Sequence, residues 1–409
     1  MTRSNTNPTA ISHPERLALI RRAREAILFG DHAGHGTPVR VEGWIERSWR
    51  RCLAQGQRPQ VSPEFTTLQQ PQLRRLLDAN RQLLQAALPV LDKLNRAIAQ
   101  TRSFAILTSP DGIVLDARGA IDRSDTRADR FTRIGTDLSE SAQGTTAVGA
   151  VLAEQQAVWL HRGEHFFDAH TDFSCAGAPL FGPDGRCVGI LDLTGVQTEE
   201  RPELRHLVSQ FARHIENVLT LNQIHPVNPL GPQSESQRAG RVLVRLNWAG
   251  CPLGGDNDGL LCLDGDGFVL GANQAARQMV PPLQRMASAG SAPLHGSDLF
   301  AMAFEMLFDA ARAPTGSPAP VLDVPLWSGL HLHAVVQQAG HLHQPIGALS
   351  PAEPPRPLKD VETALIRQAV VDARGNVLKA ARALGVSRAT VYRRLGNSQS
   401  PKNSAKTTR

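Results

Sequence analysis

At 409 residues, with 41% apolar residues and a formal net charge of +6, the chain is too long for one hydrophobic core and suits two to four domains. Its five cysteines, Cys52, Cys175, Cys187, Cys251 and Cys262, are odd in number and form no C-x-x-C pair, which argues against a disulfide framework or a zinc ribbon. No run of about eighteen apolar residues occurs and the polar start MTRSNTNPTAISHPERL has no signal-peptide core, so a cytoplasmic protein without a membrane span is expected.

Residues 1–69 read as a helical region. Leu17, Ile20, Ala23 and Ile27 recur at helical spacing up to Gly30, and Val41, Trp44, Ile45, Ser48, Trp49 and Cys52 form one face of a second helix that docks on a neighbouring domain. Residues 70–225 read as a sensory domain with flanking helices. The apolar residues Leu73 to Ile98 recur at steps of three and four, with Pro89 expected to kink or break the helix, and Leu204 to Leu219 repeat the pattern. Between them, FAILTSPDGIVLDARG and APLFGPDGRCVGILDLTG each predict a strand, a Pro-Asp-Gly turn and a strand, and Ala142 to Ala153 a helix.

Residues 226–240 are a proline-rich and polar linker. In residues 241–343, DGLLCLDGDGFVLGANQAARQMV predicts two strands about an Asp-Gly-Asp-Gly turn and then a helix from near Ala272, LHGSDLFAMAFEMLFDAAR middle helices, and PVLDVPLWSGLHLHAVVQ two closing strands. Residues 344–357 are a semi-rigid linker carrying Pro345, Pro351, Pro354, Pro355 and Pro357. Residues 358–396 hold three short amphipathic patterns, with Gly375 closing the first, Gly385 closing the second and Ser387 capping the third. Residues 397–409 are a basic tail expected to be disordered. From Arg356 to Arg409 there are twelve Lys and Arg against three Asp and Glu, so the basic character of the chain belongs to this end.

The stretch GNVLKAARALGVSRATVYRRL resembles the Fis-type helix-turn-helix of bacterial transcriptional activators. The resemblance implies binding to double-stranded operator DNA, with Lys379, Ser387, Arg388, Thr390, Tyr392, Arg393 and Arg394 as the DNA-binding residues. SWRRC at Ser48 to Cys52, LSESAQGTTAVGAVL, HRGEHF and CAGAPLFGPDGRCVGILDLTG resemble the N-terminal element and GAF domain of activators like the acetoin-catabolism regulator. Thr146 departs from them, standing where that family usually has asparagine. The GAF resemblance implies a pocket for an unidentified small-molecule effector, for which His165, Cys175 and Asp192 are the candidates. Asp264 to Gly267 and Ala272 to Ala276 resemble the opening of a PAS domain.

The expected fold class is therefore multidomain α+β, with GAF-like and PAS-like antiparallel sheets and helices and a C-terminal all-α helix-turn-helix. His161, His165, His170, Asp172 and Cys175 are metal-ligand types, but their spacing fits no metal template, and neither metal nor cofactor is expected. No phosphate-cradling G-x-x-x-x-G-K-[S/T] loop occurs, so the central ATPase domain usual in this activator family is absent from the sequence. The function expected is ligand-responsive, sequence-specific DNA binding that regulates transcription without ATP hydrolysis, by a homodimer with RNA polymerase as a contact. The alternatives are a GAF-fold thiol enzyme of the methionine sulfoxide reductase type, using Cys175 or Cys187, and an architectural DNA-binding protein.

Overall fold

The computed structural model describes residues 13–28, 41–224, 240–288, 290, 292–312, 320–338 and 377. The chain divides into two units, residues 1–343 and residues 344–409. The expected DNA-binding residues and the linkers at 226–239 and 344–357 lie outside the described residues.

The first unit opens with α1 (His13–Leu28), α2 (Gly43–Ala54), α3 (Gln70–Ala79) and α4 (Arg81–Ile98). A five-stranded antiparallel sheet follows from β1 (Ser103–Thr108), β2 (Val114–Gly119), β3 (Val158–His161), β4 (Phe173–Phe181) and β5 (Cys187–Val196), in the order β2-β1-β5-β4-β3. Both Pro-Asp-Gly turns form as expected, each with its glycine, Gly112 or Gly185, in the left-handed region that a side chain disfavours. Strand alternation sends successive side chains of β1 to opposite faces, and both faces are covered. Ala105 and Leu107 pack beneath α4 and α8 (Leu204–Leu221), against Leu91, Leu94, Val208 and Ile215. Phe104 and Ile106 point the other way, into a core shared with Trp49, Val151 and Phe173.

Over this second face lie α5 (Thr126–Phe131), α6 (Glu140–Gln143) and α7 (Ala147–Glu154). The single helix expected over Ala142–Ala153 is thus broken in two. Gly144 adopts φ 64° and ψ −153°, which a helix does not accommodate, and Thr146 restarts the chain by accepting the Gly149 N–H at 3.1 Å as the N-cap of α7. The break expected at Pro89 does not occur. α4 runs through Pro89, and the interruption falls at Asn80, whose side chain bonds the Leu76 carbonyl at 2.9 Å between α3 and α4.

A second five-stranded antiparallel sheet comprises β6 (Val242–Trp248), β7 (Gly259–Leu263), β8 (Val269–Ala272), β9 (Leu322–Pro325) and β10 (His331–Gln338), in the order β8-β7-β6-β10-β9. Its core is closed by α9 (Gln274–Met279), α10 (Gly296–Leu299) and α11 (Glu305–Ala311). The sequence reading has no counterpart for β6. In the first sheet the central strand, β5, is the last in the chain; in the second the central strand, β6, is the first. Placing β7, β8, β9 and β10 on β1, β2, β3 and β4 makes the two plans coincide, so the second sheet is a circular permutation of the first.

The two sheets are joined along α8 and at the β4–β5 turn. On α8, Asn217 donates to the Asp256 carbonyl at 3.0 Å and Arg213 to Asn257 Oδ1 at 2.8 Å. At the turn, the Ala272 N–H donates to the Pro183 carbonyl at 2.9 Å, and Arg277 is inserted between the Gly182, Pro183 and Ala272 carbonyls. Gly271 lies so close to Pro183 that a Cβ there would sit 2.6 Å from the proline Cβ.

Candidate functional site

The site is built where β4 and β5 run side by side under α7. Cys175 pairs with Thr194, and Asp192 pairs with Gly177, so that the Cys175, Asp192 and Thr194 side chains share the face covered by α5 and α7. His165 enters from the loop after β3. These four, with Thr146, supply the polar lining of a small cavity otherwise walled by Ile106, Phe131, Leu138, Val148 and Phe173. Its free volume is about 10 Å³, room for about one water molecule. All three residues proposed from the sequence, His165, Cys175 and Asp192, thus meet around one space.

Their hydrogen bonds form a directed chain. The Nδ1 of His165 lies 2.9 Å from the Arg162 carbonyl, which can only accept, so Nδ1 carries the proton and Nε2 is an acceptor. Cys175 Sγ, 3.4 Å from Nε2, therefore donates to it. Thr194 Oγ1 stands 3.2 Å from that sulfur and 2.6 Å from Asp192 Oδ2. With Asp192 ionised, Thr194 donates to the carboxylate and no hydrogen is left for the Thr194–Cys175 contact. With Asp192 protonated, each group from Asp192 to His165 donates to the next. Burial drives the electrostatics in the same direction, pushing Asp192 up to about 7 and the Cys175 thiol well up, and His165 down to about 4.

Among the described residues, Asp192 Oδ1 is buried and has no hydrogen-bond partner. Thr146 is already used, capping α7 and reaching the Leu138 carbonyl at 3.4 Å. The cavity thus offers one unsatisfied acceptor within an apolar wall, an arrangement suited to a small uncharged molecule with one hydroxyl group to donate.

The metal-ligand types do not converge. His161 is bonded to Ser174 Oγ at 2.7 Å, Asp172 to Arg127 at 3.0 Å, and His170 sits among Phe131, Phe167 and Phe173. Among the described residues no group of three or more His, Cys, Asp or Glu is placed to hold a metal ion.

Sequence reasoning missed the scaffold that holds the cavity walls. The loop carrying His165 is gripped by α1, where Arg24 donates to the Gly163, His165 and Phe166 carbonyls and pairs with Asp168, and Arg16 meets the buried Glu164 at 2.7 Å. SWRRC belongs to the same scaffold. Trp49 donates to the Glu164 carbonyl at 2.9 Å, Ser48 bonds Glu140 and Thr145, and Arg51 pairs with Glu140 at 2.8 Å, tying α2 to the residues that lead into α7. The burial of Ser48 within an otherwise apolar helix face was the one signal of this network in the sequence.

Known proteins share parts of this sequence. The family model described as MimR, N-terminal domain, matches residues 18–217, and the one described as bacterial regulatory protein, Fis family, matches residues 357–396. The chain's homologues are transcriptional regulators. It is 31% identical to the acetoin catabolism regulatory protein of Cupriavidus necator over 66% of this chain and 38% of that protein. It is 32% identical to the propane 2-monooxygenase operon transcriptional activator MimR of Mycolicibacterium goodii over 49% of this chain and 33% of that protein. The chain therefore spans well under half the length of these relatives. Among solved structures it is similar to the E. coli DhaR(N)–DhaL complex, at 15% identity and a TM-score of 0.41, over 72% of this chain and 98% of that one. The residues matched, 18–217, take in α1 from Ala18 onward, α2 and the residues lining the cavity. No helix among the described residues is long and apolar enough to cross a membrane.

Proposed function

We propose that the chain is a ligand-responsive, sequence-specific DNA-binding transcriptional regulator of the cytoplasm, acting without ATP hydrolysis. Its sensor is the cavity around Asp192, and its DNA reader is the segment 358–396, working as a homodimer that contacts RNA polymerase. The observation that carries the reading is the small, largely apolar cavity with one carboxyl oxygen unpartnered among the described residues, on a chain whose residues 357–396 match the Fis-family model. Absence of a G-x-x-x-x-G-K-[S/T] loop from the sequence supports regulation by occupancy.

The effector is small, uncharged and oxygenated, and it enters by opening the contacts of α7 and the His165 loop, because the free space holds only about one water molecule. Acetoin, named in a relative's description, belongs to this chemical class and is a suitable probe. Small uncharged alcohols and hydroxyketones are expected to raise the melting temperature of the full chain, since a ligand that binds only the folded state stabilises it. The shift should be lost in Asp192→Leu. If none of these compounds moves the melting temperature, the sensor assignment fails.

The thiol-enzyme alternative lacks an activated nucleophile. Cys175 and Cys187 are both pushed up by burial, and His165 is pushed toward its neutral form, so no thiolate–imidazolium pair is set up.

A further inference from the structure

The two sheets of the first unit do not meet along their whole length. Between the α8 contacts and the Arg277 contacts lies a cleft of about 480 Å³, within the usual size range of small-molecule sites. We propose that this cleft is a second small-molecule site, separate from the cavity around Asp192, and that it takes an uncharged polyhydroxylated molecule of monosaccharide size.

The floor of the cleft is Glu216 of α8, only 3% exposed. One of its oxygens accepts the Phe181 N–H at 2.8 Å; the other makes no hydrogen bond among the described residues. The charges of Arg277 and Arg213 favour the ionised form of this carboxyl, whose second oxygen is an acceptor for a guest hydroxyl. Arg213, one turn away on α8, is the cation that lines the same cleft, and it is committed to Asn257. Glu216, raised to about 7 by burial, and Arg213 leave the walls with little net charge at neutral pH, which favours a neutral guest. Gln274 and Gln278 of α9 add amide groups that donate and accept together, as hydroxyls require.

The guest also needs an apolar face. Trp248, at the end of β6, is 39% exposed and lines the cleft, and its indole N–H has no acceptor among the described residues. An aromatic ring with a polar N–H edge suits the C–H face and flanking hydroxyls of a sugar ring. Because the walls come from both sheets, a guest here would fix their mutual setting and add a second input to the regulator.

Isothermal titration of the full chain with D-glucose, D-galactose, D-ribose and myo-inositol tests this. Saturable binding of at least one is expected, weakened about tenfold or more by Glu216→Gln, the effect of losing a charged acceptor. Glu216→Gln keeps the oxygen that serves Phe181, so folding is preserved. Trp248→Ala, at the rim, should weaken the same binding by a similar factor. Neither residue lines the Asp192 cavity, so the result stands or falls independently of the effector reading. The proposal is overturned if no compound gives saturable heat up to ~10 mM, a weak-site concentration, or if binding survives both substitutions.

Discussion

A carboxyl group shut away from water is cheapest to keep in its neutral form, and Asp192 is 2% exposed with its charge uncompensated by any cation. Its folded-state value of about 7 lies above the ordinary carboxylate range. Between roughly pH 4, the unfolded value, and about 7, only the folded state holds the proton. Stability therefore falls as pH rises through that window, by about 1.4 kcal/mol per pH unit for such a group. Glu164 and Glu216, each also raised to about 7 by burial, act in the same sense. His165, lowered to about 4, and His170, lowered to about 3, act in the opposite sense, since below roughly 6.5 the unfolded chain binds a proton that the folded one refuses. Replacing Asp192 by Asn removes one of the three falling contributions. Urea unfolding at about pH 5 and about pH 7 should show Asp192→Asn losing less, or gaining more, stability across the interval than the parent chain. Equal changes in both proteins would mean that Asp192 is ionised in its cavity.

At the scale of elements, the turn glycines and the apolar periodicities were legible because each depends on a local rule. The Asp-Gly turns, the strands on either side of them and the helices α4 and α8 follow from period and turn chemistry alone. What escaped depends on residues far apart in sequence. Arg24 has its carbonyl partners some 140 positions away, and nothing in the pattern of α1 marks that arginine as buried. Likewise β6 finds its place only when β7 and β10 are both present to flank it. The division of α6 from α7 was missed because Ala142 to Ala153 has good helical composition, which the conformation of Gly144 overrides. Gly144→Ala should destabilise the first unit by about 1–3 kcal/mol, the usual range for forcing a side chain into such a region. An added Cβ there would also meet the Phe167 ring at 2.9 Å. Thermal or urea unfolding of the variant provides the measurement. An unchanged midpoint would imply that α6 and α7 can join into one helix.

Over the whole molecule, the apolar stripes of α4 and α8 that suggested a dimer contact are spent against the first sheet, with Leu91, Leu94, Ile215 and Val208 fully buried. α3 buries none of its apolar residues and Leu207 and Phe211 of α8 stay partly exposed, so a homodimer is proposed to pair through the outer faces of these helices, and sedimentation of the full chain is the direct check. The basic charge lies at the other end of the sequence, in the segment that matches the Fis family, and there the chemistry of the side chains sets what each should do. In a third helix starting after Ser387, Arg388 and Arg393 fall about 140° apart at 3.6 residues per turn, with Tyr392 between them. Arginine matches guanine through two parallel hydrogen bonds, worth about 1–3 kcal/mol of discrimination. Lys379, in the second helix that the sequence predicts, is a point charge suited to phosphate, and Thr390 and Arg394, on either side of the apolar Val391, are proposed to meet the DNA backbone. Arg388→Ala should therefore lower the ratio of operator to scrambled-DNA affinity as well as the affinity itself. Lys379→Ala should weaken both DNAs alike and reduce the slope of log affinity against log salt by about one. Titrations of both variants on both DNAs at several salt concentrations separate the two roles. A ratio unchanged in Arg388→Ala would remove the third helix from base reading and leave the Fis-family segment as a non-specific anchor.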